Sequence, residues 1–351
     1  MNLHWTRPWQ VAMEAVTLAA RATRAVQWEL VTADTLEKKD RSPVTVADFA
    51  SQALVCERLA GWFPDEPVVA EEDADALREP GHEPLRDAVV RHVAIAHARS
   101  GAARARDVLA WIDHGNALEP NARRSPDRFW TLDPIDGTKG FLRGGQYAIA
   151  LALVEHGQVV LGALACPALA YPDGTHPGTL LMAARGEGTW MYPLPNPGHG
   201  QAQLARVDRV ANPADARFCE SVESGHSDQG QSAQIAQRLG ITAEPVRMDS
   251  QAKYAAVARG DASIYLRLPT RADYREAIWD HAAGAIVIAE AGGRVTDIAG
   301  ETLDFSRGPR LQRNRGIVAS NGHVHDAVLE AVGAVAGTVA GAGAGAATAR
   351  P

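Results

Sequence analysis

The chain has 351 residues, 46% hydrophobic and 22% charged, with a formal net charge of −7. Such a length exceeds one small core and predicts two domains or subdomains. The acidic balance, with no basic stripe carrying interleaved aromatics, excludes a nucleic-acid surface, although local cations or a metal still permit a small anionic substrate.

The first helix is predicted from Pro8 to about Ala33, on apolar spacing at Val11, Ala15, Leu18, Ala22 and Val26. A charged loop at Glu37–Asp40 and the turn Ser42-Pro43-Val44-Thr45 lead to a second helix from about Ala47 to Trp62, with Asp48 near its start. Pro67 to Ala70 reads as a short strand that delivers Glu71, Glu72 and Asp73. Residues 74–126, rich in Ala, Arg and His, are expected to form peripheral helices and loops. Arg128 to Leu132 is an apolar, aromatic strand; Pro134 is expected to end it, and Gly137 permits a tight turn.

A hairpin is predicted over 146–164 around Glu155-His156-Gly157, and a second pair over Thr179–Met191 with Gly186 and Gly188 in the turn. The Pro/Gly-rich run Tyr192–Gly200 is the expected domain boundary. Beyond it, Phe218–Val222, Ser232–Leu239, Pro245–Met248, Gln251–Arg259 and Ala262–Leu268 alternate strand with helix, which predicts an α/β second domain. The organisation expected is therefore an α+β domain over 1–200, an α/β domain over 201–335, and a disordered Ala/Gly tail over 336–351. Cys56, Cys166 and Cys219 are widely spaced, odd in number and outside any metal spacing, as in a reduced cytoplasmic protein. No signal pattern is read at the N-terminus, and no apolar run is long enough for a bilayer.

Residues 131–141, Thr-Leu-Asp-Pro-Ile-Asp-Gly-Thr-Lys-Gly-Phe, carry the strongest chemical signal. Asp133 and Asp136 leave a strand with the Thr138 hydroxyl close behind. Carboxylates crowded this way repel unless a cation lies between them, and hard oxygen ligands suit Mg²⁺. Alone, the run reads equally well as an Asx-capped Asp-Pro turn. Three further acidic residues stand at element ends: Glu71 after its short strand, Asp48 at a helix start, and Asp280 in Trp279-Asp280-His281-Ala282-Ala283-Gly284, where it is expected in the first turn of a buried helix. Each alone reads as a solvated turn or a helix cap.

With SPVTVAD at 42–48, AEED at 70–73, WTLDPIDGTKGF at 130–141 and WDHAAG at 279–284, the chain resembles the lithium-sensitive, Mg²⁺-dependent phosphatase superfamily of inositol monophosphatase and fructose 1,6-bisphosphatase. The likeness runs from about residue 10 to 330 and implies a layered α/β/α/β/α sandwich of the sugar-phosphatase type with two subdomains. Within it, DGTKGFLRGGQYAIALAL at 136–153 (inositol monophosphatases usually carry Asn before the Phe), SVESGHS at 221–227, MDSQAKYAAVARGDASIYLRLP at 248–269 and EAIWDHAAGAIVIAEAGG at 276–293 are most similar to the 3′(2′),5′-bisphosphate nucleotidase branch. Residues 74–126 carry little that matches.

The resemblance implies removal of the 3′-phosphate of adenosine 3′,5′-bisphosphate, giving AMP and phosphate, and action on 3′-phosphoadenosine 5′-phosphosulfate, within sulfur metabolism. It implies two or three Mg²⁺ ions held by Glu71, Asp133, Asp136, Asp280 and the Ile135 carbonyl. Asp48 and Thr138 match its water-activating pair. Asp136, Gly137, Thr138, His226, Ser250, Lys253, Arg267 and Asp280 fall on its substrate-binding positions, Lys253 and Arg267 facing the second phosphate. Lys139 and Arg143 are expected to shape the entrance. The alternatives are an inositol phosphate or sugar bisphosphate phosphatase of the same superfamily, and a non-catalytic nucleotide-binding regulator. Neither a membrane nor a nucleic acid is an expected partner, and the residues leave the oligomeric state open.

Overall fold

The computed structural model describes residues 6–32, 42–97, 103–119, 121–194, 202–222, 229–271 and 273–345. Two long helices, α1 (Thr6–Thr32) and α2 (Ser42–Trp62), pack against each other and cover one face of a seven-stranded sheet. Its strands run in chain order: β1 (Val68–Ala70), β2 (Arg128–Asp136), β3 (Ala148–Glu155), β4 (Gln158–Cys166), β5 (Gly178–Ala184), β6 (Gly188–Leu194) and β7 (Gln203–Ala205). Only β1 and β2 are parallel; every later pair is antiparallel. Three peripheral helices, α3 (Asp75–Arg78), α4 (Glu83–Ala96) and α5 (Ala105–Asp113), occupy the stretch between β1 and β2, and α4 and α5 pack against α2.

Parity along β3 shows why this sheet is covered on both faces. Ile149, Leu151 and Leu153 enter the core shared with α1 and α2, while Ala148, Ala150 and Ala152 enter the core on the opposite face. Successive side chains of a strand point to opposite faces, so the bulky set fills the space under two helices and the alanines let another helix approach closely. That helix is α9 (Ala282–Glu290), which lies on β4, β3 and β5 beside α8 (Ala252–Ala258).

A five-stranded sheet lies beyond α8 and α9, in the order β11 (Arg294–Thr296), β12 (Ile317–Ser320), β10 (Ile264–Arg267), β8 (Phe218–Glu220) and β9 (Val246–Arg247). The parity rule repeats here. Cys219, Tyr265 and Ala319 face the α8–α9 layer, while Phe218, Ile264, Leu266 and Val318 join the outer core with Ile235 of α7 (Gln229–Leu239) and Val328 of α10 (His325–Gly345). The resulting layers are helix, sheet, helix, sheet, helix, the arrangement the resemblance implies.

Four local expectations are corrected. Strand β2 does not stop before Pro134: its pairing with β3 jumps from Asp133↔Ala150 to Asp136↔Ala148, so Pro134 and Ile135 form a bulge, where a missing N–H breaks no ladder bond. The second helix starts at Ser42, ahead of the expected Ala47. Strand β6 continues through Tyr192-Pro193-Leu194, into the run read as a boundary; residues 195–201 lie outside the described residues. Helix α10 reaches Gly345, past residue 336 where a structureless tail was expected; its alanines favour helix, and its glycines, although poor helix formers, do not end it. The β3–β4 hairpin is as expected, and its two turn residues, His156 and Gly157, both have positive φ (49° and 75°), as a type I′ turn requires.

Candidate active site

Parallel register starts the site. Val68↔Trp130, Val69↔Thr131 and Ala70↔Leu132 are partners, so the next residue on each strand, Glu71 and Asp133, emerges side by side. The Glu71 charge acts directly on Asp133. Gln52 of α2 secures the adjoining backbone: its Oε1 accepts from Glu72 N–H at 3.1 Å and its Nε2 donates to the Glu72 carbonyl at 2.5 Å. Ser51 donates to the Pro134 carbonyl at 2.8 Å, pinning the bulge to the same helix.

Beyond the bulge, Asp136 leads through Gly137 into the short helix α6 (Thr138–Leu142). A strap at Asp249-Ser250-Gln251 crosses this turn so closely that both glycines are required. Gly137 has φ +92°, and a Cβ there would lie 2.6 Å from the Ser250 Cβ. A Cβ on Gly140 would lie 2.1 Å from the Gln146 carbonyl oxygen and 3.0 Å from the Asp249 Cβ. The strap is latched by the Arg143–Asp249 ion pair and by the Gln251 N–H, which donates to Asp136 Oδ2 at 2.5 Å. Ser250 takes φ 65°, uncommon for a non-glycine residue.

Asp280 arrives from the other half, one residue before His281, the cap of α9. It therefore precedes the helix instead of occupying its first turn. Facing the carboxylates are Lys253, buried with its Nζ 5.3 Å from the Tyr265 ring centre, and Arg267 at the end of β10. Arg267 is held by Glu276, and Glu276 Oε2 also lies 3.3 Å from His281 Nε2, while His281 Nδ1 and the Tyr254 hydroxyl are 2.8 Å apart.

These groups line one cavity of about 360 Å³, within the range of about 300–1,000 Å³ common for small-molecule sites. Glu71, Asp133, Ile135, Asp136, Gly137, Thr138, Lys139, Ser250, Lys253, Arg267 and Asp280 all contribute to its wall. The wall combines five carboxylates, Glu71, Asp133, Asp136, Asp249 and Asp280, with three cations, Lys139, Lys253 and Arg267. Burial, then the charge of Glu71, raises Asp133 well above the usual carboxylate range. Desolvation by the surrounding protein, then the charges of Glu72 and Asp136, pushes Glu71 up to about 7. Burial likewise brings Asp280 to about 7, against the opposing charge of His281. Burial lowers Lys253, against the opposing pull of Asp136.

The donor set fits a divalent cation. Asp133 Oδ1 is buried with no hydrogen-bond partner, a costly state for a carboxylate unless a cation fills it. Glu276, Asp280 and His281 also bring ligand atoms within 4.8 Å of one another. There, however, Arg267 already neutralises Glu276, and Tyr254 and Glu276 engage both His281 nitrogens. The unpaired charge is on the Asp133 side.

Asp48 is not part of the cavity wall. It is buried, and burial, then Glu72 and Glu71, raise its carboxyl well above the usual range, so it stands behind the acidic face. His226 lies outside the described residues. Arg143 reaches the site through Asp249. Sequence reasoning assigned no role to Asp249, Gln251, Tyr265, Glu276 or His281. Only Tyr265 left a usable signal: on a strand it shares a face with Arg267, two residues on.

The sequence pattern of the inositol monophosphatase family matches residues 8–336. A 3′(2′),5′-bisphosphate nucleotidase of Schizosaccharomyces pombe is 44% identical over 339 residues, covering 93% of this chain and 95% of its own. One from Oryza sativa is 45% identical over 344 residues, covering 92% of each. Among solved structures, Mycobacterium tuberculosis SuhB superposes with a TM-score of 0.59 at 21% identity, covering 94% of this chain and 96% of its own. CysQ from Bacteroides thetaiotaomicron, a bacterial member of the inositol monophosphatase family, does so with 0.56 at 19%, covering 91% and 99%. At those identities the solved structures speak for the fold alone.

Proposed function

The chain belongs to the inositol monophosphatase family, and from that premise we propose that it hydrolyses the 3′-phosphate of adenosine 3′,5′-bisphosphate to AMP and inorganic phosphate. The observation that carries this reading is the identity of 44% and 45%, over 92% or more of the chain, to 3′(2′),5′-bisphosphate nucleotidases. The cavity supports it, since it brings carboxylates and cations together, and a bisphosphate needs groups that process one phosphoryl group and cations that neutralise the second phosphate. We extend the substrate range to 3′-phosphoadenosine 5′-phosphosulfate, which offers the same 3′-phosphate.

The family is metal-dependent, and Mg²⁺ is our choice because every donor here is an oxygen. Glu71, Asp133, Asp136, Asp280 and the Ile135 carbonyl would hold two or three such ions. When bound, they supply a water of lowered pKa and neutralise charge on the phosphoryl oxygens and the leaving O3′. Asp48 polarises the Thr138 hydroxyl, which orients the attacking water. The Gly137 and Thr138 N–H groups donate to the phosphoryl oxygens. One P–O bond forms to the water oxygen as the bond to O3′ breaks, and O3′ ends protonated. Lys253, Arg267 and the Ser250 hydroxyl receive the second phosphate, and His226 completes the nucleotide contacts on sequence grounds.

Among the described residues no helix is long and apolar enough to cross a membrane. We assign the enzyme to the cytoplasm on its three buried, unpaired thiols. The test is phosphate release, with and without Mg²⁺ and against rising Li⁺, from adenosine 3′,5′-bisphosphate, the phosphosulfate, inositol 1-phosphate and fructose 1,6-bisphosphate. The expected result is Mg²⁺-dependent, Li⁺-inhibited turnover with the highest kcat/KM on the nucleotides. Preference for the inositol or sugar phosphate would overturn the substrate.

A further inference from the structure

We propose that Gln251 is a positioning residue that sets the spacing between Asp136 and Asp280 and thereby the protein's affinity for divalent cations. This rests on the reading of Glu71, Asp133, Asp136 and Asp280 as cation ligands.

Gln251 is 2% exposed, and all of its polar groups are engaged. Its N–H donates to Asp136 Oδ2 at 2.5 Å, and its carbonyl accepts from Tyr254 N–H at 2.9 Å, opening α8. Its side chain reaches the other half: Nε2 donates to the Trp279 carbonyl at 2.9 Å, and Oε1 accepts from Gly284 N–H of α9 at 3.3 Å. Asp136 hangs from the seven-stranded sheet, whereas Asp280 hangs from the loop between β10 and α9. Among the described residues no backbone hydrogen bond joins the Asp136 turn to that loop. One residue therefore bonds to both.

The two attachments are chemically separable. The bond to Asp136 uses backbone and survives substitution, while both bonds toward Asp280 use the side chain. Changing the side chain removes the direct tether between the two and leaves Asp136 tied, while the Asp280 loop keeps its own bond from Ile278 N–H to the Pro309 carbonyl. A cage whose members are free to drift binds a cation more weakly, and groups that only orient ligands are worth about 10–100-fold in metal affinity. A buried glutamine that merely satisfied the core would lower stability and leave cation affinity alone.

The experiment titrates Mg²⁺ into metal-stripped wild type, Gln251→Met and Gln251→Asn by calorimetry, with Mn²⁺ paramagnetic resonance as a second readout and circular dichroism to verify folding. Met keeps the volume without polar atoms; Asn keeps the amide but is one methylene short. Thr189→Val is the stability control, because it removes a buried bond to the Val287 carbonyl (2.7 Å) at the opposite end of α9. Both Gln251 variants are expected to bind Mg²⁺ about tenfold or more weakly, with the Mg²⁺ needed for half-maximal turnover rising by the same factor. Thr189→Val should melt lower with unchanged affinity. Wild-type affinity in either folded Gln251 variant, or an equal loss in Thr189→Val, would overturn the proposal. Failure of the wild type itself to bind a cation would overturn the ligand reading beneath it.

Discussion

Arg267 grips Glu276 at two points, Nε to Oε1 at 3.3 Å and Nη2 to Oε2 at 3.2 Å, which fixes the plane of its guanidinium in the cavity wall. Burial opposes the charge on Glu276, yet the hydrogen bond and charge of His281, with Arg267, hold its carboxyl below the usual range. The pair is thus ionised and directional. Glu276→Gln keeps the shape and removes the charge. KM for adenosine 3′,5′-bisphosphate should rise about tenfold, as expected for loss of one buried charge partner, with kcat and the Mg²⁺ requirement nearly unchanged. Steady-state kinetics at saturating Mg²⁺ checks this.

Lys253 offers a sharper test of which phosphate goes where. It is buried beside Tyr265 and close enough to Asp136 to feel its charge, and it is the proposed partner of the second phosphate. Lys253→Gln should cut kcat/KM for adenosine 3′,5′-bisphosphate by about 30-fold, the equivalent of one strong charge-assisted hydrogen bond. Turnover of 3′-AMP, which lacks the second phosphate, should fall by less than about threefold. Equal losses on both compounds would assign Lys253 to the reacting phosphate instead.

Stability without metal should run opposite to the usual carboxylate behaviour. Glu71 and Asp280, raised to about 7, bind protons more tightly folded than unfolded. Their contribution is complete below the ordinary carboxylate range near pH 4 and is lost as pH climbs through about 7. Metal-stripped protein should therefore melt at progressively lower temperature from about pH 5.5 to 8, and saturating Mg²⁺ should remove that slope because the cation replaces the protons. Thermal melts across this range, with and without Mg²⁺, measure it; a flat metal-free profile would contradict the coupling.

Gly140→Ala tests the strap. The new Cβ would meet the Gln146 carbonyl and Asp249. Backbone must move, costing about 1–3 kcal/mol, and Asp249 shifts away from Arg143. The variant should melt lower, and its KM for the nucleotide should rise because Ser250 lies in the strap and Lys253 follows it in α8. A melting temperature within experimental error of wild type would mean the turn is looser than its geometry.

Much of this was legible in the chain. The parity of β3, the His156–Gly157 turn and the helical spacing of α1 each follow from residues a few positions apart. Where the reading failed, a local rule met a tertiary exception: Pro134 was expected to end a strand, but a bulge opposite β3 accommodates it. Similarly, Asp280 was read into the first turn of a helix that begins after it.

By itself the sequence determined most of the elements and named candidate residues that the structure brings to one cavity: the acidic pair at Asp133 and Asp136, the carboxylates Glu71 and Asp280 at element ends, and, through the resemblance, the cations Lys253 and Arg267. Side-chain type and short-range periodicity are local properties, so they are written locally. Tertiary structure alone decided what stands behind those residues. Gln251 meets an aspartate 115 positions away, Glu276 aligns Arg267, and Asp48 stays behind the cavity wall. Those distances come from strand register and from how two sheets close on the helix layer between them, and no neighbouring residues along the chain record that packing.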